Sequence, residues 1–325
     1  MDRGKILTIV VPCYNEEEVL PETAKELGEI LTTLINDEKV DGKSKILFVD
    51  DGSKDRTWEL ITEFGREKSY ITGLKFSRNY GHQNALLAGM ETAVKYSDMI
   101  ITIDADLQDD VNAIPKMVSE YSKGIDVVYG VRNSRETDTV FKRRTALAFY
   151  ALMKKLGVDM VPDSADYRLL SKRAVENLLR FDERNLFLRG MVPLIGFSHS
   201  KVYYARKERF AGESKYPLKK MIKFALDGIT SFSVVPIKLI MGLGTMIVLV
   251  GIAMFVYTII QKIMGNTISG WTSLMTSIWV LGGVQLICIS VIGEYIGKIF
   301  TEVKHRPRYT VEVETYSDKF SKIKD

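Results

Sequence analysis

Met99-Ile100-Ile101-Thr102-Ile103-Asp104-Ala105-Asp106-Leu107-Gln108-Asp109 is the stretch on which the fold turns. Its first half is a β-branched run of strand length, and its second half is a polar cluster. The same pattern recurs along the first 130 residues. Ile6–Val11 is a buried-strand run followed by Pro12-Cys13-Tyr14-Asn15-Glu16-Glu17. Ile46–Val49 is followed by Asp50-Asp51-Gly52-Ser53, and Ile125–Tyr129 by Gly130-Val131-Arg132. Ile71–Phe76 is also strand-like. Helix formers fill Glu16–Asn36, Asp55–Glu67, Gln83–Tyr96 and Pro115–Tyr121. Strand-helix alternation predicts a parallel sheet covered on both faces. Ligands of such sheets bind beyond the carboxyl ends of the strands, where these polar clusters lie.

The clusters carry chemistry. Asp104, Asp106 and Gln108 offer hard oxygen ligands at alternate positions, which suit Mg²⁺ or Mn²⁺ with a substrate diphosphate completing the shell. Asp50 or Asp51 could accept a hydrogen bond from a base or ribose, while Ser53 or Asp55 suits the N-cap of the next helix. Asp163-Ser164-Ala165-Asp166-Tyr167-Arg168 reads as a connection between two helical stretches, and its carboxylate beside an arginine is by default a salt bridge. It also suits a transferase that needs a base or an orienting carboxylate opposite the leaving group. With a phosphate as acceptor, Asp166 would position and balance charge as much as take a proton. Arg132, Arg143, Arg144, Arg206 and Arg209 form a basic set that fits phosphate, anionic lipid, or a lipid phosphate that is both.

Composition narrows the class. The 325 residues are 46% hydrophobic and 26% charged, which excludes a largely disordered chain. A net charge of +4 is too mild to argue for nucleic acid, and no such partner is expected. Two distant cysteines, Cys13 and Cys288, exclude a disulfide scaffold and suit a reducing compartment. The apolar residues are concentrated near the C-terminus. Leu239–Ile260 runs 22 residues without a charge, and Trp271–Gly293 runs 23. Each can cross a hydrocarbon core of roughly 30 Å. Lys201–Lys223 holds eight Lys or Arg against two Glu, and Lys298, Lys304, Arg306 and Arg308 follow the second run. Basic flanks on both sides predict a hairpin with both termini cytoplasmic, in the cell membrane. Residues 214–233 place Leu218, Met221, Ile222, Ala225, Leu226 and Ile229 at helical spacing among lysines, which predicts an amphipathic helix on the membrane surface. Thr310–Glu314 alternates like a short edge strand, and the rest of the tail reads as polar and mobile. The expected divisions are 1–213, 214–233, 234–260, 271–296 and 297–325.

Four motifs in order resemble the family 2 glycosyltransferases of GT-A fold. They are Pro12-x-Tyr14-Asn15-Glu16, Asp50-Asp51-Gly52-Ser53, Asp104-Ala105-Asp106-Leu107-Gln108-Asp109 and Arg209-Phe210-Ala211-Gly212-Glu213-Ser214-Lys215-Tyr216. More narrowly, the chain is similar to polyprenyl-phosphate glycosyltransferases, the group of dolichol-phosphate mannose synthase. Arg184-Asn185-Leu186-Phe187-Leu188-Arg189-Gly190 resembles the bacterial members with two C-terminal spans. The resemblance implies an α/β, Rossmann-like nucleotide-sugar-binding domain, then the amphipathic helix and the transmembrane hairpin. It implies that Pro12, Tyr14, Glu16 and Asp51 line the nucleotide pocket. Asp104 and Asp106 would hold diphosphate and metal, with Gln108 a further ligand for Mg²⁺ or Mn²⁺. Asp166 would be the catalytic carboxylate, with Arg168 beside it. Arg132, Arg143 or Arg144, Arg209 and Ser214 would grip the acceptor phosphate, helped by Lys215. No Gln-x-x-Arg-Trp motif of processive synthases is found; Trp58, Trp271 and Trp279 have other neighbours. The expected reaction is one inverting transfer of a hexose, glucose or N-acetylglucosamine, from a UDP-sugar to undecaprenyl phosphate. The resemblance further implies a homo-oligomer, a tetramer in bacterial relatives. The alternatives are a same-fold transferase with another lipid or protein acceptor, and a non-catalytic nucleotide-sugar-binding scaffold.

Overall fold

A computed structural model describes residues 4–133, 161–205, 235–264 and 270–321. Arg143, Arg144, Arg209, Ser214, Lys215 and the segment 214–233 lie outside the described residues. The chain divides into two compact units. One holds the N-terminal part together with everything from Arg306 onward, and the other is essentially Leu218–His305.

The first unit is built on an eight-stranded sheet of order β7-β5-β6-β4-β1-β2-β3-β8. Its parallel half contains β1 (Leu7–Cys13), β2 (Lys45–Asp50), β3 (Ile71–Phe76) and β4 (Met99–Thr102). Every residue of β1, β2 and β4 is buried, as expected for strands covered on both faces. The crossovers are α1 (Leu20–Asn36), α2 (Thr57–Glu67) and α3 (His82–Ala93), and α4 (Ile114–Ser122) follows β4. Leu20, Leu27, Leu31 and Leu34 form the buried stripe of α1, which packs with Leu7, Ile9, Ile46 and Phe48 in one core.

The other half is mixed. β5 (Val127–Arg132) and β7 (His199–Tyr204) are parallel to each other, and β6 (Ser164–Ser171) is antiparallel to both β4 and β5. The stretch expected to connect two helices is thus a strand in the middle of the sheet. Its charges hid it: a buried ion pair lets Asp166 and Arg168 occupy strand positions that are normally apolar. The reversed direction of β6 matters for function. Its beginning lies level with the end of β4, with Arg168 opposite Thr102. Thr102 Oγ1 donates to the Asp166 carbonyl at 2.5 Å. Asp166 is thereby brought to the edge where Asp104 leaves β4. Two short helices follow, α5 (Lys172–Leu178) and α6 (Leu188–Leu194).

Between Val311 and Ser321 the tail forms regular structure, contrary to the mobility expected from its polar composition. β8 (Val311–Glu314) pairs antiparallel with β3 and closes that edge. A short helix, Tyr316–Ser321, follows it. Tyr316 is fully buried, and its hydroxyl shares hydrogen bonds with Thr8 and Ser97 at 2.7 and 2.9 Å.

The second unit contains two long apolar helices, Val235–Ile263 and Trp271–Val303. The second runs past the expected end at 296. Segments Val235–Gln261 and Val280–Val303 are long and apolar enough to cross a membrane.

Candidate active site

The loops after β1 and β2 are stitched together. Ser53 Oγ accepts the Asn15 N–H at 2.9 Å, Asn15 Oδ1 accepts the Lys54 N–H at 2.8 Å, and Thr57 Oγ1 accepts the Glu16 N–H at 2.9 Å. Asp55 accepts the N–H groups of Thr57 and Glu17. Ser53 and Asp55 are therefore architectural. Gly52 has a φ of +69°, and a Cβ there would stand 2.4 Å from the Arg78 backbone, so the turn requires glycine. Pro12 is buried at the end of β1, Tyr14 is exposed, and Glu16 is half-buried. Asn15, Glu16, Lys54 and Asp55 line an open groove of about 410 Å³.

Asp51 is 3% exposed and accepts the N–H groups of Tyr80 and Gly81 at 2.6 and 2.9 Å. It thereby fixes the turn that launches α3. The first two residues of that helix reach the other carboxylates. His82 Nε2 stands 3.4 Å from Asp104 Oδ1 and 3.7 Å from Asp166 Oδ2. Gln83 Nε2 donates to Asp166 Oδ2 at 3.4 Å, and its Oε1 accepts the Leu188 N–H at 3.0 Å. Arg189, one residue on, donates to Asp166 Oδ2 at 3.1 Å. Arg168 Nη2 takes the other oxygen, Oδ1, at 2.5 Å.

Asp166 is 3% exposed. Burial alone would raise its pKa. The charges of Arg189, Arg168 and His82 outweigh burial and hold it well below the usual carboxylate range. It is a fixed negative charge. Arg168 is fully enclosed; burial lowers its pKa, and Asp166 opposes that. For His82 burial also lowers the pKa, but the negative charges of Asp104 and Asp166 leave it above its ordinary value.

The Asp104–Asp109 segment is strained. Leu107 has a φ of +54°, a costly conformation for a bulky residue. The strain turns the chain tightly, and Asp106 Oδ1 accepts the Gln108 N–H at 3.2 Å. Asp104 keeps a third of its side-chain surface exposed, yet its Oδ1 atom is covered and takes no hydrogen bond. Burial, reinforced by neighbouring carboxylates, pushes its pKa up to about 6. A covered carboxylate oxygen that accepts no hydrogen bond, beside a second aspartate, fits a hard divalent cation, with Asp104 and Asp106 as the protein ligands and Gln108 adjacent. No group of three or more His, Cys, Asp or Glu side chains converges on one point among the described residues. A cation here would draw its remaining ligands from Gln108, water and substrate.

At the end of the same segment, Asp109 Oδ1 accepts from Arg132 Nη2 at 3.2 Å and from the Tyr204 hydroxyl at 2.6 Å. The structure thus brings Asp51, Asp104, Asp106, Arg132, Asp166 and Arg168 to one sheet edge. His82, Gln83 and Arg189 join them. The sequence reading did not select these three, although Arg189 sits in a stretch it had noted.

The sequence pattern of glycosyl transferase family 2 matches residues 8–179, and that of the GtrB C-terminal hairpin matches 235–299. The uncharacterized glycosyltransferase YkoT of Bacillus subtilis (strain 168) is 54% identical over 98% of this chain and 94% of its own length. The bactoprenol glucosyl transferase of Shigella phage SfV is 39% identical over 95% of this chain and 98% of its own. Among solved structures, glucosyl-3-phosphoglycerate synthase from Mycobacterium tuberculosis superposes with a TM-score of 0.46 at 18% identity, covering 70% of this chain and 78% of that one. Matches over the catalytic half, over the apolar hairpin and along nearly the whole length of curated relatives agree: the chain is a glycosyltransferase and belongs to glycosyl transferase family 2, with the GtrB C-terminal hairpin.

Proposed function

We propose that the enzyme transfers one hexose, glucose or N-acetylglucosamine, from a UDP-sugar to undecaprenyl phosphate with inversion, at the cytoplasmic face of the cell membrane. The observation that carries this reading is the pairing of a cation-suited carboxylate, Asp104, with an arginine-held carboxylate, Asp166, through one shared neighbour, His82. The similarity to a bactoprenol glucosyl transferase supports the lipid acceptor and favours glucose.

The donor would lie over the ends of β1, β2 and β4, with Pro12, Tyr14, Glu16 and Asp51 around the nucleotide. Asp104 and Asp106, with Gln108, would hold Mg²⁺ or Mn²⁺, which when bound supplies positive charge to the departing diphosphate. Arg132 would orient the acceptor phosphate, together with Arg143 or Arg144, Arg209, Ser214 and Lys215. A phosphate oxygen attacks the anomeric carbon as the bond to the diphosphate breaks, and that electron pair leaves with UDP. The phosphate is already an anion, so no strong base is needed. Asp166, locked by Arg168 and Arg189, aligns the acceptor-side cations and stabilises positive charge growing on the sugar.

A transfer assay tests this. The full-length protein is given undecaprenyl phosphate, Mg²⁺ or Mn²⁺, and a panel of labelled UDP- and GDP-sugars. A lipid-linked product from a UDP-hexose is expected. Asp106→Ala should abolish it, and Asp166→Asn should lower kcat by about a hundredfold or more, the scale of removing one preorganised electrostatic group. Product formation with Asp106→Ala at the wild-type rate would remove the metal role. A product only with other acceptors would replace the proposed one.

A further inference from the structure

Asp109 ends the segment that begins with Asp104, but its carboxylate is turned into the protein. It is 2% exposed. One of its oxygens, Oδ1, takes hydrogen bonds from two strands. Arg132 closes β5 and Tyr204 closes β7, and the two are register partners in parallel strands. Tyr204 is itself buried, and its ring meets Tyr167 edge-on at 5.3 Å. Tyr167 in turn donates its hydroxyl to the Asp110 carbonyl at 3.1 Å. The carboxylate therefore sits in a rigid frame.

Arg132 is differently placed. A third of its side chain is exposed, and its Nε–H is covered and donates no hydrogen bond. A guanidinium carries five N–H donors, and Asp109 engages it through Nη2. An arginine pinned on one side by a buried anion and open on the other is a pre-oriented ligand for a second anion. Arg132 ends β5, and its bond to Asp109 ties it to the segment that begins with Asp104.

We propose that Asp109 is a positioning residue for the acceptor. It orients Arg132, with Tyr204 completing the frame, so that the guanidinium meets the acceptor phosphate. The inference rests on the reading that Arg132 binds that phosphate. It makes one six-residue segment serve both substrates: Asp104 and Asp106 face the donor diphosphate, and Asp109 acts on the acceptor through Arg132.

The test uses the full-length enzyme with polyprenyl phosphate and its donor. Asp109→Asn, Tyr204→Phe, Arg132→Ala and the double variant Asp109→Asn/Arg132→Ala are compared, with UDP binding by calorimetry as the control for folding. Asp109→Asn should raise the acceptor KM about tenfold, the loss of one charge-assisted bond, and leave the donor KM within about twofold. Arg132→Ala should raise the acceptor KM at least as much. The double variant should match Arg132→Ala alone, because a residue that acts only through Arg132 has nothing left to position. Effects that multiply in the double variant would overturn the proposal, as would an unchanged acceptor KM in Asp109→Asn beside a raised one in Arg132→Ala. An unchanged KM in Arg132→Ala would sink the underlying reading of Arg132 as well. Should Asp109→Asn lose UDP binding, Tyr204→Phe decides: it keeps the carboxylate, so a rise of about threefold in acceptor KM is expected, and no change would refute the frame.

Discussion

Asp126 accepts hydrogen bonds from Ser171, Ser198 and the Nε and Nη2 donors on one edge of the Arg173 guanidinium. The Arg173 hydrogen bond is the main reason its pKa lies below the ordinary value. A depressed folded pKa means that the contribution to stability is present above the unfolded value and is lost as pH falls. The unfolding temperature should therefore drop as pH falls below about 4, where an unfolded aspartate takes up its proton. Arg173→Ala should lower the unfolding temperature at pH 7 and flatten that acid dependence, as read by thermal unfolding in detergent across pH 3–7. An identical acid slope in the variant would mean that other carboxylates carry it. Residues of this kind were hard to read in the sequence. Asp104 and Asp106 were legible because a β-branched run precedes them directly. His82, Gln83 and Arg189 were not, since their meeting with Asp166 depends on where α3 and α6 begin in space. No spacing along the chain encodes that.

At the scale of elements, local pattern and burial decided what could be read. The parallel strands announced themselves as apolar runs because both of their faces are covered. β8 was legible as Thr-Val-Glu-Val-Glu from its period-two alternation, although its valines stay more than a third exposed at the sheet edge. β6 was hidden by its buried ion pair, and the helix Tyr316–Ser321 by its polar neighbours. Tyr316 is that helix's most buried anchor, beside Phe320 stacked on Tyr96 and Lys319 donating to the Gly65 and Ile71 carbonyls. Tyr316→Ala should cost about 3–5 kcal/mol, the range for emptying a buried aromatic site. Tyr316→Phe should cost only about 1 kcal/mol, because Thr8 and Ser97 still bond each other at 2.7 Å. Thermal or denaturant unfolding of the two variants checks the ranking, and equal losses would show that the hydroxyl, not the ring, holds the tail.

Across the whole molecule, β8 constrains topology more firmly than charge counting does. Strands on either side of the apolar pair, β3 before it and β8 after it, belong to one sheet. Both must lie on the same side of any bilayer, so the chain crosses it an even number of times or not at all. Two apolar helices, each long enough to cross, fit that parity. The protein is expected to stay in the membrane pellet through an alkaline carbonate wash and to be released by detergent; release by carbonate would mean that the helices only rest on the surface. The same pairing orders events on the ribosome. Both apolar helices, ending at Val303, are made before Val311–Glu314 and the fully buried Tyr316 exist. A chain synthesised from its N-terminus must therefore commit its hydrophobic hairpin while the edge of β3 is still bare. The catalytic sheet is completed last, by residues that cannot arrive until both helices have left the ribosome. A messenger truncated inside the hairpin codon stretch would yield an unfinished sheet with an open edge, the kind that invites aggregation.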